Sequence, residues 1–97
     1  MTWDELVDEI TTRHPDIRPS KMFGMPCLKR ESGKVVAGHW KDGGVNVKLT
    51  EEAQREAALS IPGAELFDPG MGRVMKEWVL VPEAQSDRWL ELVEQAI

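Results

Sequence analysis

One cysteine, Cys27, and two histidines, His14 and His39, are the side chains of this chain with the intrinsic chemistry of a nucleophile and a base. A working Cys–His pair needs hydrogen-bond reach and a third group that orients the imidazole. Antiparallel pairing of the stretch around Cys27 with that around His39 would make the two diagonal neighbours on one sheet face, roughly 7 to 8 Å apart between backbones. No orienting group accompanies them. Cys27 therefore reads as a small half-buried hydrophobe, the usual behaviour of a free cysteine, and His39 as a sheet-surface residue bonded to Asn46 or water. Two histidines and one cysteine match none of the recognised ligand spacings, so no metal site is expected. Carboxylate pairs such as Glu51 with Glu52 and Glu91 with Glu94 fall on helix faces, where solvation is the ordinary explanation. The loop Asp68-Pro69-Gly70-Met71-Gly72-Arg73, with Lys76 beyond it, has glycine amides and cations for an anion, yet no helix start or Gly-Lys-Ser/Thr follows, and it reads as a plain strand connection. No enzyme, catalytic residue or cofactor is expected.

Two surface chemistries remain. The net charge of -5 hides a segregation of signs. Residues 1–12 hold four acids and no Lys or Arg, residues 13–48 hold eight Lys or Arg against three acids, and residues 49–97 hold ten acids against four Lys or Arg. Within the basic segment Lys29, Arg30, Lys34, Lys41 and Lys48 are candidate phosphate contacts for a β-ribbon on nucleic acid. The competing explanation is that lysines guard sheet edges and turns while acids solvate helices. The second surface is apolar: Phe23, Met25 and Val35, with Cys27 and Ala37, are expected on the sheet face turned away from the core, too apolar to be left to water, and form a candidate protein-contact patch for a partner or a second copy.

These residues must be positioned by short elements. Trp3, Leu6, Val7 and Ile10 share one stripe of a first helix, opened by the capping box Thr2-Trp3-Asp4-Glu5 and stopped at His14 by Pro15. A loop is then expected to about Lys21. From Met22 to Leu49 short β-rich runs, broken at Ser32-Gly33 and Asp42-Gly43, predict a three-stranded meander. A two-residue Asp42-Gly43 loop would pair Trp40 with Val45, Gly38 with Val47 and Val36 with Leu49 on the core face, and His39 with Asn46 and Ala37 with Lys48 on the other. At the Ser-Gly turn, Leu28 would face Val36. Thr50 is expected to cap an alanine-rich second helix ended by Pro62-Gly63. Residues 64–67 and 74–81 predict two further strands, and Pro82 opens a last helix with Trp89, Leu92, Val93, Ala96 and Ile97 on one stripe. Trp3, Trp40 and Trp89 fall on expected core positions and Trp78 lies mid-strand. The order α-β-β-β-α-β-β-α implies a two-layer α+β fold with a largely antiparallel sheet.

At 97 residues, 41% apolar and 30% charged, the chain suits one domain over residues 1–97, able to fold without staples. A lone cysteine argues for a reducing, cytoplasmic location. No apolar run approaches the roughly 20 residues of a membrane span, and the acidic start is unlike a signal peptide, so a soluble protein without a membrane is expected.

The stretch Lys21-Met-Phe-Gly-Met-Pro-Cys-Leu-Lys29, the runs Val36-Ala-Gly38 and Val45-Asn-Val-Lys-Leu49, the turn Ile61-Pro-Gly-Ala64, and Phe67-Asp-Pro69 leading to Met75-Lys-Glu-Trp-Val79 together resemble the N-terminal domain of TfoX/Sxy-type proteins. The likeness spans nearly the whole chain, and Met22-Phe23-Gly24 is its most distinctive part, a structural signature that carries no catalytic residue. The resemblance implies a two-layer α+β domain. It further implies a regulatory protein, since full-length members are implicated in natural competence as coactivators working with a transcription factor. Those members also carry a C-terminal helical domain, which is not present before the chain ends at Ile97.

Overall fold

The computed structural model describes residues 1–70 and 72–97. Helix α1 (Trp3–Arg13) leads into four strands, β1 (Arg18–Met22), β2 (Met25–Lys29), β3 (Val35–His39) and β4 (Val45–Lys48). Helix α2 (Glu52–Leu59), strands β5 (Glu65–Phe67) and β6 (Met75–Val81), a 3₁₀ segment (Glu83–Arg88) and helix α3 (Trp89–Ala96) complete the chain. Among the described residues the strands form one six-stranded antiparallel sheet in the order β1-β2-β3-β4-β6-β5. This is the two-layer α+β architecture expected from the element order.

The helices all pack on one face. Leu6 and Ile10 of α1, Ala58 of α2 and Trp89, Leu92 and Val93 of α3 share one core with Leu28, Ala37, Val45, Val47, Val79 and Val81 of the sheet. Local chemistry sets the starts. The Glu5 amide donates to Thr2 Oγ1 at 3.1 Å and the Thr2 amide to Glu5 Oε1 at 2.8 Å, which completes the expected capping box. The cap expected at Thr50 is displaced: Glu51 is the N-cap and makes no side-chain cap bond. Arg55 instead reaches back to the carbonyls of Leu49 and Thr50 at 2.9 and 3.3 Å.

Three expectations about the meander are corrected. The segment expected to be loop as far as Lys21 is the edge strand β1, paired from Arg18↔Lys29 to Met22↔Met25. Arg18, Pro19, Ser20 and Lys21 are all exposed, so this strand has no apolar alternation, and Pro with two cations is what a guarded edge carries. Second, β3 and β4 pair as Ala37↔Val47, Gly38↔Asn46 and His39↔Val45, one residue from the expected register. The Trp40 amide donates to the Gly44 carbonyl at 2.8 Å and the Gly43 amide to the Trp40 carbonyl at 3.0 Å, with Gly43 at φ +93°. The loop is therefore Lys41-Asp42-Gly43, a tight turn followed by a left-handed glycine, and not the two-residue Asp-Gly loop. The shift puts His39 and Ala37 on the helix side and Trp40 and Gly38 on the open side. Third, Leu28 faces Ala37 while Lys29 faces Val35, so Val36 is an extra, bulged residue and joins Ala37 in the helix-side core.

Glu94 ties α3 to the end of α1, with Arg13 Nη1 at 2.6 Å and His14 Nε2 at 3.2 Å. The hydrogen bond with His14, then that from Arg13, hold its carboxyl below the usual value. A carboxylate whose pKa is lower in the folded state stabilises the fold above its unfolded value, about 4.3, and that contribution fades as pH falls through the folded value. The pair is partly exposed, so Glu94→Gln is expected to cost under about 1 kcal/mol near neutrality. Urea titrations should show the difference closing as pH falls below the usual carboxylate range.

Candidate functional site: an apolar groove on the helix-free sheet face

The sheet face without helices is apolar as well. Phe67, Trp78 and Leu80 are buried there, with Val35 and Trp40 packed against them. Trp40 meets Phe67 edge to face, ring centroids 4.8 Å apart, a geometry that aligns the positive ring edge with the negative face. Beside this cluster lies a groove of about 510 Å³. The β1–β2 hairpin supplies Met22, Phe23 and Met25 to its wall, β3 leads into Trp40, and the β5–β6 hairpin brings Phe67, Pro69 and Met75. Among the described residues no charged side chain lines it.

The hairpin that carries Phe23 is strained in an informative way. Met22 pairs with Met25, which leaves a two-residue turn with Phe23 at φ +52° and Gly24 at φ +81°. Positive φ at both positions is the type I′ requirement, normally met by Asn-Gly or Asp-Gly. A bulky residue in the left-handed region is an outlier. Phe23 is also 102% exposed, so its ring gains nothing from the fold for that backbone cost.

Phe23 and Met25 line the groove, on the face expected for them. Val35 lies on the same face but packs on the Phe67, Trp78 and Leu80 cluster outside the groove. Ala37, expected on this face, belongs to the helix-side core. Trp40, expected in the core, lies on this open face because β3 and β4 pair one residue from the expected register. Phe67, Pro69 and Met75 were missed because they arrive from a hairpin remote in sequence; the signal for them was an apolar Phe67 and Met75 flanking a Pro-Gly loop.

The remaining candidates are dispersed. Cys27 pairs with Gly38 and is fully buried, and burial pushes its thiol up. His39 lies on the opposite face, stacked on Trp3 with ring centroids 5.2 Å apart, so the Cys27–His39 pair is not assembled and, of the two partners expected for His39, Asn46 is out of reach across the sheet. Arg30 donates to the carbonyls of Ile97 and Ala96 at 2.6 and 3.1 Å. Arg30, Lys34 and Lys48 line a polar hollow of about 370 Å³ with Ser32 and Thr50, and Lys29 lines a second with Arg18 and Arg30. Lys41 stands at the other end of β3, its Nζ 5.1 Å from the Trp40 ring centroid. In the 68–73 loop the Gly70 amide donates to Asp68 Oδ1 at 2.8 Å, so a carboxylate occupies an amide an anion would use; Met71 lies outside the described residues. Among the described residues no three His, Cys, Asp or Glu side chains converge as for a metal, and no helix is long and apolar enough to cross a membrane.

Fold and site together define a class: a small two-layer α+β domain with helices on one sheet face and an uncharged groove on the other. No family model, curated protein or solved structure matches this chain.

Proposed function

We propose that this chain is a small, non-enzymatic regulatory or adaptor protein that acts in the cytoplasm by protein contact, through the helix-free face around Phe23 and Met25. The observation that carries the reading is Phe23, a fully exposed aromatic held at φ +52° at the rim of an apolar groove. An outlier of this kind that packing does not reward points to a use outside the fold. A homodimer is the simplest partner, since one face bearing both a protruding ring and a groove is self-complementary about a two-fold axis. The edges favour the face over strand addition: β1 is guarded by Arg18, Pro19 and Lys21, and β5 is only three residues long. The resemblance to the TfoX/Sxy N-terminal domain supports a regulatory role of the competence or transcription type, because Met22-Phe23-Gly24, its signature, forms the tip of this surface.

Phe23→Asn separates fold from function. Asn-Gly is the preferred type I′ pair, so the variant is expected to gain about 1 kcal/mol in urea denaturation. Loss of an aromatic anchor is expected to weaken self-association by more than about tenfold, read by sedimentation equilibrium. Identical masses for variant and parent across the concentration range would count against the reading.

Nucleic-acid binding is the second reading, favoured by the gathering of Arg18, Lys29, Arg30, Lys34 and Lys48 around the two polar hollows. It requires binding to duplex DNA that falls steeply with salt. A flat anisotropy titration of a labelled mixed-sequence duplex at low salt removes it.

A further inference from the structure

Asn46 is the one fully buried polar side chain of the core among the described residues. It sits on the open face of β4, between Gly38 of β3 and Leu80 of β6. Its Nδ2 donates to Met25 Sδ at 3.6 Å, while its Oδ1 accepts no hydrogen bond from any described residue. A buried carbonyl without a donor is destabilising, and leucine would offer the same branching at Cγ without that cost. The backbone next to it is cut away. A Cβ on Gly38 would lie 2.6 Å from Met25 Cε and 2.7 Å from Asn46 Oδ1, so the absence of a side chain there makes a slot that the end of Met25 fills. Met25 also lines the apolar groove. It is the wall between the groove and the amide, and an unbranched thioether is the wall that moves most easily.

We propose that the groove is a binding site for a small, flat, neutral apolar molecule carrying one N–H or O–H donor, which displaces the end of Met25 and donates to Asn46 Oδ1. The volume, about 510 Å³, falls within the range of small-molecule pockets, and such sites pair an apolar lining with a few placed polar groups. The uncharged lining disfavours an ionic ligand, which would be desolvated with little compensation there. Trp40 and Phe67 offer ring faces and edges to an aromatic guest. The inference shares its groove with the protein-contact reading, so in a dimer the ligand competes with the partner's ring; methyl shifts report occupancy and sedimentation reports association, which keeps the two failures distinguishable.

The test uses full-length protein carrying ¹³C-methyl methionine, titrated with indole, which is bicyclic and has one N–H donor, and in parallel with benzothiophene, similar in shape and without a donor. Saturable shifts of the Met25 and Met22 methyls are expected with indole, and benzothiophene should bind about tenfold more weakly, the worth of one net hydrogen bond. Asn46→Leu should erase that preference. Gly38→Ala, which fills the slot from the other side, should weaken indole binding and serves as a second variant if Asn46→Leu does not fold. Absence of a saturable shift at millimolar indole, equal affinity for both probes in the parent protein, or a preference that survives Asn46→Leu with Gly38→Ala unaffected would each overturn the proposal.

Discussion

Trp89→Ala should remove about 3–5 kcal/mol of folding stability, the usual cost of truncating a buried aromatic to alanine. Trp89 is 1% exposed at the start of α3 and is among the largest fully buried side chains. It touches both halves of the fold: its ring joins the core shared by the helices and sheet, and Nε1 donates to the Val81 carbonyl at 3.2 Å at the end of β6. The substitution therefore leaves a cavity and removes a hydrogen bond that ties α3 to the sheet. Domains of this size are held by roughly 5–15 kcal/mol in total. Urea denaturation should show the midpoint falling by about a fifth or more with an unchanged slope. Trp89→Phe, which keeps most of the volume and loses the donor, should fall between the two. A loss below about 1.5 kcal/mol for the alanine variant would mean that α3 is not docked through this ring.

How far the fold can be read from the chain depends on whether a residue's signal is local. The capping box at Thr2 and Glu5, the stop before Pro15, and the apolar stripes of α1 and α3 involve neighbours within two turns; α1 lies where its pattern places it, whereas α3 carries the expected stripe but begins at Trp89, because the stretch that Pro82 opens, Glu83–Arg88, is a 3₁₀ segment kinked at Gln85. β4 and β6 also follow from alternation or apolar runs. β1 does not, because an edge strand has neither face to bury and its residues are chosen to discourage pairing. The β3–β4 register failed for a narrower reason. Asp42-Gly43 suits a two-residue loop and equally a three-residue loop with glycine in the left-handed position, and the Asp42 side chain, accepting from the Gly44 amide at 2.8 Å, favours the second. One residue of slip exchanges side chains between faces, here from Ala37 onward, because the bulge at Val36 leaves Val35 and Val36 on the faces expected for them. That single ambiguity moved Trp40, Gly38, His39 and Ala37 together.

The groove was half legible for the same cause. Phe23 and Met25 are recognisable because apolar residues beside a turn, on the face away from the core, need an explanation. Asn46 was not recognisable. A polar residue on the outward parity of a strand is expected in water, and its burial depends on Met25, 21 residues away, and on the absence of a side chain at Gly38. Neither dependence has a local pattern.

Asn46→Leu should make the protein more stable by about 1–3 kcal/mol, the penalty recovered when a buried, unpaired polar group is replaced by an apolar one of like shape. The exchange gives up one long N–H···S contact and relieves an unpartnered carbonyl. For a domain of this length each kcal/mol corresponds to about 4–8 °C in Tm, so calorimetry should resolve the gain easily. Gly38→Ala is expected to act in the opposite sense, because its Cβ must displace Met25 or Asn46. A destabilised Asn46→Leu would show that the carbonyl is satisfied in the native state and that the amide serves packing. A stabilised one has a sharper meaning. It would show that asparagine is kept at a position where the fold itself prefers leucine, as Phe23 is kept where the turn prefers asparagine. Two residues that each oppose the local preference of the fold, both at one apolar groove, are the pattern of a surface held for binding at some cost in stability.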